Sequence, residues 1–130
     1  VHFFRADLTD VPGLEEAALK AGLEKQTVGL LISNPPYVTE SQKKEMSPRV
    51  LSYEPHSALF VPDENPLCHY RHLAALGSRF LCSGGTLMAE INENFGREAA
   101  LLFQQAGFKE VLVHKDLNEK NRILSALWVP

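Results

Sequence analysis

Asn34-Pro35-Pro36-Tyr37 is the stretch whose residue types and order can do chemistry. Asn34 offers a carboxamide oxygen, and Pro35 offers a carbonyl whose direction its ring constrains. Two such acceptors can hold the two N–H protons of one planar group. The ring of Tyr37 can form a wall against that group. Proline pushes the residue before it out of the α region, so Asn34 and Pro35 are both predicted to be extended. The tetrapeptide is therefore a rigid corner. No general base is evident beside it.

The corner needs an element to hold it, and Val28 to Ile32 is that element. This run is aliphatic without alternation, as in a strand buried on both faces. The prolines end it, because they can continue neither helix nor ladder. In open α/β sheets, ligands bind just beyond the C-terminal ends of central strands.

The rest of the chain builds the sheet. Val1 to Arg5 reads as a strand, with Asp7 past its end. Asp10-Val11-Pro12-Gly13 opens a helix whose Leu14, Ala17, Ala18 and Ala21 share a face, and Gly22 stops it. After Tyr37, Thr39 to Ser57 is predicted to be a long loop with a short helix over Ser41 to Met46. Long loops inside compact domains tend to be functional. Ser57 to Val61 is a short apolar piece, followed by a turn at Pro62-Asp63-Glu64. Asn65-Pro66 starts the next helix, Asn65 as its cap, and Ser83-Gly84-Gly85 ends it. Thr86 to Ile91 is a strand with Glu90 near its end. A helix runs from about Phe95 to Ala106, with Gly107 as its stop. Phe108 to His114 and Arg122 to Val129 form a closing antiparallel pair across the polar link Asp116 to Asn121. This alternation predicts an α/β fold: a mainly parallel sheet, helices on both faces, and a C-terminal antiparallel hairpin.

Bulk properties narrow the reading. The sequence has 130 residues, enough for a single domain over 1–130. A net charge of -3 with no Lys/Arg run gives no nucleic-acid footprint. No apolar run reaches the length that spans a membrane, and no signal peptide is visible at Val1, so the protein is expected to be cytoplasmic. The two cysteines, Cys68 and Cys82, form no metal or disulfide pattern, and Cys82 is expected to be a buried free thiol near a helix end. His56, His69 and His72 lack the partners of a zinc site, so no metal is expected. His69, Tyr70 and His72 read as ordinary helix residues.

Asn34-Pro35-Pro36-Tyr37 after an apolar strand resembles the (N/D)PPY signature of class I methyltransferases, which methylate nitrogens in planar conjugated groups. Ser33 and Val38 beside it, Tyr53-Glu54-Pro55, Ala58-Leu59, Gly84-Gly85 before a strand ending in Glu90, and Asp116-Leu117 with Arg122 are together similar to the HemK/PrmC family. Those enzymes methylate a glutamine side chain of peptide chain release factors. The resemblance covers essentially the whole chain. It implies S-adenosylmethionine as cofactor and the glutamine of a Gly-Gly-Gln release-factor segment as substrate, with no direct nucleic-acid or membrane partner. It implies Asn34, Pro35 and Tyr37 as catalytic residues, and Asn34, Pro35, Pro36, Tyr37 and Glu54 as substrate-binding residues. Asp7 and Asn34 would touch the cofactor. Asp7 can equally cap a turn, Glu54 can pair with Arg49, Glu90 can be a solvated strand end, and Arg122 is expected to pair with Asp116.

The resemblance is partial. The family's sheet order is 3-2-1-4-5-7-6, and its glycine-rich cofactor turn follows the first strand. The present sequence contains no such turn, and its partial Rossmann-like sheet would lack the first two strands. The chain alone is therefore expected to bind S-adenosylmethionine weakly or not at all. The free edge of Val28 to Ile32 is expected to invite a homodimer, with or without Val1–Arg5 swapped into the gap, or to be covered by further chain. A nucleic-acid methyltransferase of the same fold and a non-catalytic interaction module are the alternatives.

Overall fold

A computed structural model describes every residue of the chain except His2. Asp10 caps α1 (Val11–Lys20): its carboxylate accepts from the Gly13 N–H at 3.1 Å, and Pro12 occupies the first turn. A strand, β1, follows at Val28–Ser33 as expected, but it is an edge strand with no buried residue, where a strand buried on both faces was expected. Then come β2 (Val38–Thr39), a 3-10 turn at Glu40–Glu45, α2 (Pro48–Tyr53) and β3 (Phe60–Val61), which pairs parallel with β2. The remainder is α3 (Cys68–Phe80), β4 (Leu81–Glu90), α4 (Gly96–Gln105), β5 (Lys109–Lys115) and β6 (Asn121–Trp128).

The main sheet is mixed, in the order β1-β4-β6-β5. β1 runs parallel to β4, with Ser33 opposite Ala89. β6 lies antiparallel between β4 and β5. The C-terminal hairpin is thus as expected. Asp116 ties its turn: Oδ1 accepts from Asn118 and Lys120 N–H groups at 2.8 and 3.1 Å, and Oδ2 accepts from Arg122 Nε and Nη2 at 3.2 Å. The Lys120 N–H foremost, then the Asn118 N–H and Arg122, hold this carboxyl below its ordinary range.

Leu81, Leu87 and Ala89 of β4 and Leu124 and Ala126 of β6 are buried together with Tyr70, Leu73 and Ala74 of α3 and Ala99 and Phe103 of α4. Ala18 of α1 joins Leu76 and Phe80 of α3 against Val28 and Leu31 on the same side. α1, α3 and α4 therefore cover one face, where helices were expected on both. The alternate residues lie on the other face. There Leu30 and Ile32 are 51% and 71% exposed, and Met88 and Ile123 are half-buried.

Further differences from the sequence expectations have local causes. Val1 and residues 3–5 form no strand, and His2 of the same segment lies outside the described residues. Ser47 caps α2 through a bond from the Val50 N–H, a Ser-Pro helix start inside the predicted loop. α3 begins only at Cys68, because the Asn65 carboxamide is engaged by Arg71 Nη1 at 2.5 Å instead of capping. Ser83-Gly84-Gly85 does not end a helix but lies inside β4. Gly84 has φ +81°, and a side chain on Gly85 would sit 2.9 Å from the carbonyl oxygens of Cys82 and Val28. The two glycines thus carry the irregular register between β4 and β1 at Val28 to Leu30. Cys82 is a free thiol at the second position of that strand and only half-buried, where it was expected to be buried. Among the described residues, no helix is long and apolar enough to cross a membrane.

Candidate active site

β1 delivers the corner to the end of β4. Beyond Ser33, Asn34 is exposed, Pro35 is buried, and Pro36 and Tyr37 are half-buried. Among the described residues no hydrogen bond engages the Asn34 carboxamide or the Pro35 carbonyl, so both acceptors are free. Tyr37 packs its ring against the main core. Its hydroxyl donates to Glu90 Oε1 at 2.6 Å. Burial, reinforced by this carboxylate, pushes the hydroxyl up to about 12. Buried Tyr70 donates its hydroxyl to the Glu90 carbonyl at 3.4 Å. Glu90 is thus fixed by two tyrosines, and is neither a solvated strand end nor an isolated charge.

The Tyr37 carbonyl is held as well. Asn92, 4% exposed, donates from Nδ2 to this carbonyl at 2.9 Å and to Gln42 Oε1 at 2.7 Å. Its Oδ1 accepts from the Asn94 N–H at 3.0 Å. Gln42 Oε1 also accepts from the Thr39 N–H and hydroxyl at 3.0 and 3.1 Å. Sequence reasoning missed Asn92 and Gln42. The available signal was the position of Asn92 just past the strand that ends in Glu90.

Three cavities border the corner at Asn34, Pro35 or Pro36, and a fourth meets it at Tyr37 beside Gln42, Asn92 and Arg122. Asn34, Pro35 and Tyr37 line one of about 150 Å³ with Val38, Met46, Ala58 and Leu59. Asn34 also borders a largely apolar one of about 260 Å³, with Ile32, Met88, Glu90 and Ile123. Pro36 faces a third of about 560 Å³, shared with Arg5, Asp7, Leu8, Ser57 and His69. Asp7 Oδ1 accepts from the Thr9 hydroxyl and N–H at 2.7 and 2.8 Å. The Thr9 hydroxyl foremost lowers its pKa. The turn-capping role of Asp7 is therefore real, and both bonds fall on Oδ1. Burial lowers His69. Glu54 stands apart: it is exposed at the end of α2, borders none of these cavities, and has no ion pair with Arg49 among the described residues. Arg122 pairs with Asp116 as expected.

The placement of β6, last in sequence, between β4 and β5 reproduces the 4-5-7-6 run of the class I methyltransferase sheet, with the corner at the end of the strand that opens that run. Relatedness in sequence narrows this class. The chain is 45% identical over 105 residues to the release factor glutamine methyltransferase of Bacteroides thetaiotaomicron, covering 81% of this chain and 38% of that protein. It is 37% identical over 115 residues to the enzyme of the same name from Flavobacterium psychrophilum, covering 88% and 40%. A bifunctional methyltransferase of Rickettsia typhi is 34% identical over 102 residues, covering 78% and 20%. The chain belongs to the HemK/PrmC family of methyltransferases, and it spans about two fifths of the length of the first two relatives. No family model matches. A solved protein-(glutamine-N5) methyltransferase (release factor-specific) from Alicyclobacillus acidocaldarius aligns with 99% of the chain and all of its own length, at 20% identity and a TM-score of 0.44.

Proposed function

We propose that this chain carries the acceptor side of an S-adenosylmethionine-dependent transfer of a methyl group to the side-chain amide nitrogen of a glutamine in a peptide chain release factor. The observation that carries the reading is the pair of unengaged acceptors, Asn34 and Pro35, held on a corner anchored to the end of β4. Family membership supports the reaction class.

An amide nitrogen is a poor nucleophile because its lone pair is delocalised into the carbonyl. S-adenosylmethionine, when bound, supplies an electrophilic methyl on a sulfonium. Displacement at that methyl is in line, so alignment counts for more than acid–base work. In this reading the Asn34 oxygen and the Pro35 carbonyl accept the two N–H protons of the glutamine amide and favour the charge that develops there. Pro36 and the ring of Tyr37 bound the planar amide. The cavity lined by Asp7 suits the adenine end of the cofactor, because it sets a carboxylate beside apolar Leu8 and Pro36. The 130 residues hold the acceptor side and only part of the cofactor side. Glu54 would reach substrate from the exposed end of α2. We further read 1–130 as one domain acting in the cytoplasm.

The test is transfer of labelled methyl by the protein at its full native length. A release factor with an intact Gly-Gly-Gln segment should be labelled. Replacing that glutamine should abolish labelling, and an adenine- or guanine-containing oligonucleotide should remain unlabelled. Asn34→Ala should lower the rate by about 100-fold, as loss of a single oxyanion-type donor or acceptor does. Because Asn34 is exposed and unbonded, that change should leave stability within about 0.5 kcal/mol. Labelling of the oligonucleotide instead of the protein would overturn the reading.

A further inference from the structure

We propose that Asn92, acting with Gln42, is the positioning residue of the acceptor corner: its buried carboxamide holds the Tyr37 carbonyl and thereby fixes the direction of Asn34 and Pro35. The inference rests on the function proposed above and deepens it.

The orientation of the Asn92 amide is determined by its partners. Oδ1 accepts from an N–H and therefore must be oxygen, which leaves Nδ2 to donate. Both of its protons are used, one on the Tyr37 carbonyl and one on Gln42 Oε1. Gln42 is an acceptor only, for Asn92 and for both donors of buried Thr39.

This contact closes a short circuit of chain. At one end the corner leaves β1 at Ser33, paired with Ala89. At the other end Tyr37 is pinned to Glu90 by its hydroxyl and to Asn92 by its carbonyl. Between these anchors stand three residues, two of them prolines with locked φ. With both ends fixed on the same stretch, residues 89–92, little freedom is left to the Asn34 backbone or the Pro35 carbonyl. Releasing the Tyr37 carbonyl frees one end of the circuit. A misplacement of about 1 Å at a reacting centre can cost on the order of 100-fold in rate.

The variants follow from hydrogen-bond chemistry. Asn92→Asp keeps the shape and removes the donors. Ionised, it sets a carboxylate against the Tyr37 carbonyl. Protonated, it recovers one donor. Tyr37 and Glu90 at the corner, Tyr70 on α3, Glu45 on the turn, Glu93 beside it, Lys120 on the hairpin turn and Arg122 on β6 are the titratable groups around this site. They are the same in Asn92→Leu, which serves as the reference. Gln42→Glu keeps the acceptor, and Gln42→Leu removes it.

Methyl transfer to release factor is measured at full native length. Asn92→Asp at pH 8 and Asn92→Leu should lower kcat by about 10- to 100-fold with KM for release factor within about twofold. Relative to wild type, the Asn92→Asp rate should recover as pH falls from about 8 to 6, and the Asn92→Leu rate should not. Gln42→Glu should stay within about threefold of wild type, and Gln42→Leu should follow Asn92→Leu. Wild-type kcat in Asn92→Asp at pH 8, equal losses with no recovery, or a loss confined to KM would overturn the proposal. Amide exchange at Thr39, whose N–H is held by Gln42, is read in parallel. It should rise about tenfold in both Asn92 variants while Leu87 in β4 is unchanged. An unchanged Thr39 rate overturns the clamp even if the wild-type protein transfers no methyl, an outcome that by itself counts against the function proposed above.

Discussion

Tyr37 anchors the corner through its hydroxyl and its carbonyl, and the hydroxyl reports on that anchoring. In the folded protein that hydroxyl ionises near 12, against about 10 in an unfolded chain. Between these values the folded state keeps a proton that the unfolded state has lost. The stabilisation from this group is therefore complete below about pH 10 and declines as pH rises towards 12. Tyr37→Phe should flatten that alkaline decline, measured as denaturation midpoints from pH 8 to 11.5. At neutral pH it should cost about 1–3 kcal/mol, since Glu90 loses a charge-assisted bond. An alkaline slope identical in wild type and Tyr37→Phe would show that the hydroxyl is not held as described. At this scale the sequence was informative wherever chemistry is local. Asn34, Pro35, Pro36 and Tyr37 are adjacent, and the extended corner they form was legible from the two prolines. Asn92 was invisible because its partners Tyr37 and Gln42 lie 55 and 50 positions away, and no local pattern encodes such a contact.

The elements that hold the corner depend on how closely β1 and β4 approach. Gly85 is where they are tightest, with backbone oxygens of both strands 2.9 Å from the place a side chain would occupy. Backbone cannot yield as a flexible side chain can. Gly85→Ala should therefore destabilise by about 1–3 kcal/mol. Gly84→Ala meets no atom within 4 Å but keeps a φ of +81° and should cost about 1–2 kcal/mol. Urea midpoints of the two variants decide the order, and a neutral Gly85→Ala would contradict the packing. The glycine pair was read from sequence as a helix stop, because glycine punctuates both helix ends and strand bulges. The strand expected at Val1 to Arg5 had the right residue types, but strand propensity has no force without a neighbour to pair with. Caps and prolines, by contrast, act locally, and α1 at Asp10-Val11-Pro12 formed as read.

Over the whole molecule, layering is what the sequence left undetermined. Alternation of strands and helices predicts a covered sheet, but it does not say which side each helix takes. Here α1, α3 and α4 all lie on one side. Leu30 and Ile32 of β1 and Leu112 of β5 are exposed on the other. Exposed aliphatic side chains of this kind on one sheet face are a site where an apolar group can bind. The 130-residue chain should therefore bind a hydrophobic dye, and Ile32→Lys should reduce that fluorescence by about half, given that Ile32 is the most exposed aliphatic residue on β1. Unchanged fluorescence in Ile32→Lys would place the dye elsewhere. The hairpin of β5 and β6 was legible as an antiparallel pair, because its link is short. Its insertion beside β4 was recoverable only from the family's strand order.

β1 is bonded to β4 along one side, and among the described residues no strand bonds its other side. The corner Asn34 to Tyr37 hangs from an edge strand, held by hydrogen bonds on one side. On warming, this strand will fray while the packing of β4, β6, α3 and α4 still holds. In the 130-residue chain the five paired positions of the β1–β4 ladder should therefore exchange their amide protons before those of the β4–β6 ladder, and any partner or further chain that adds a strand at β1 should slow that exchange.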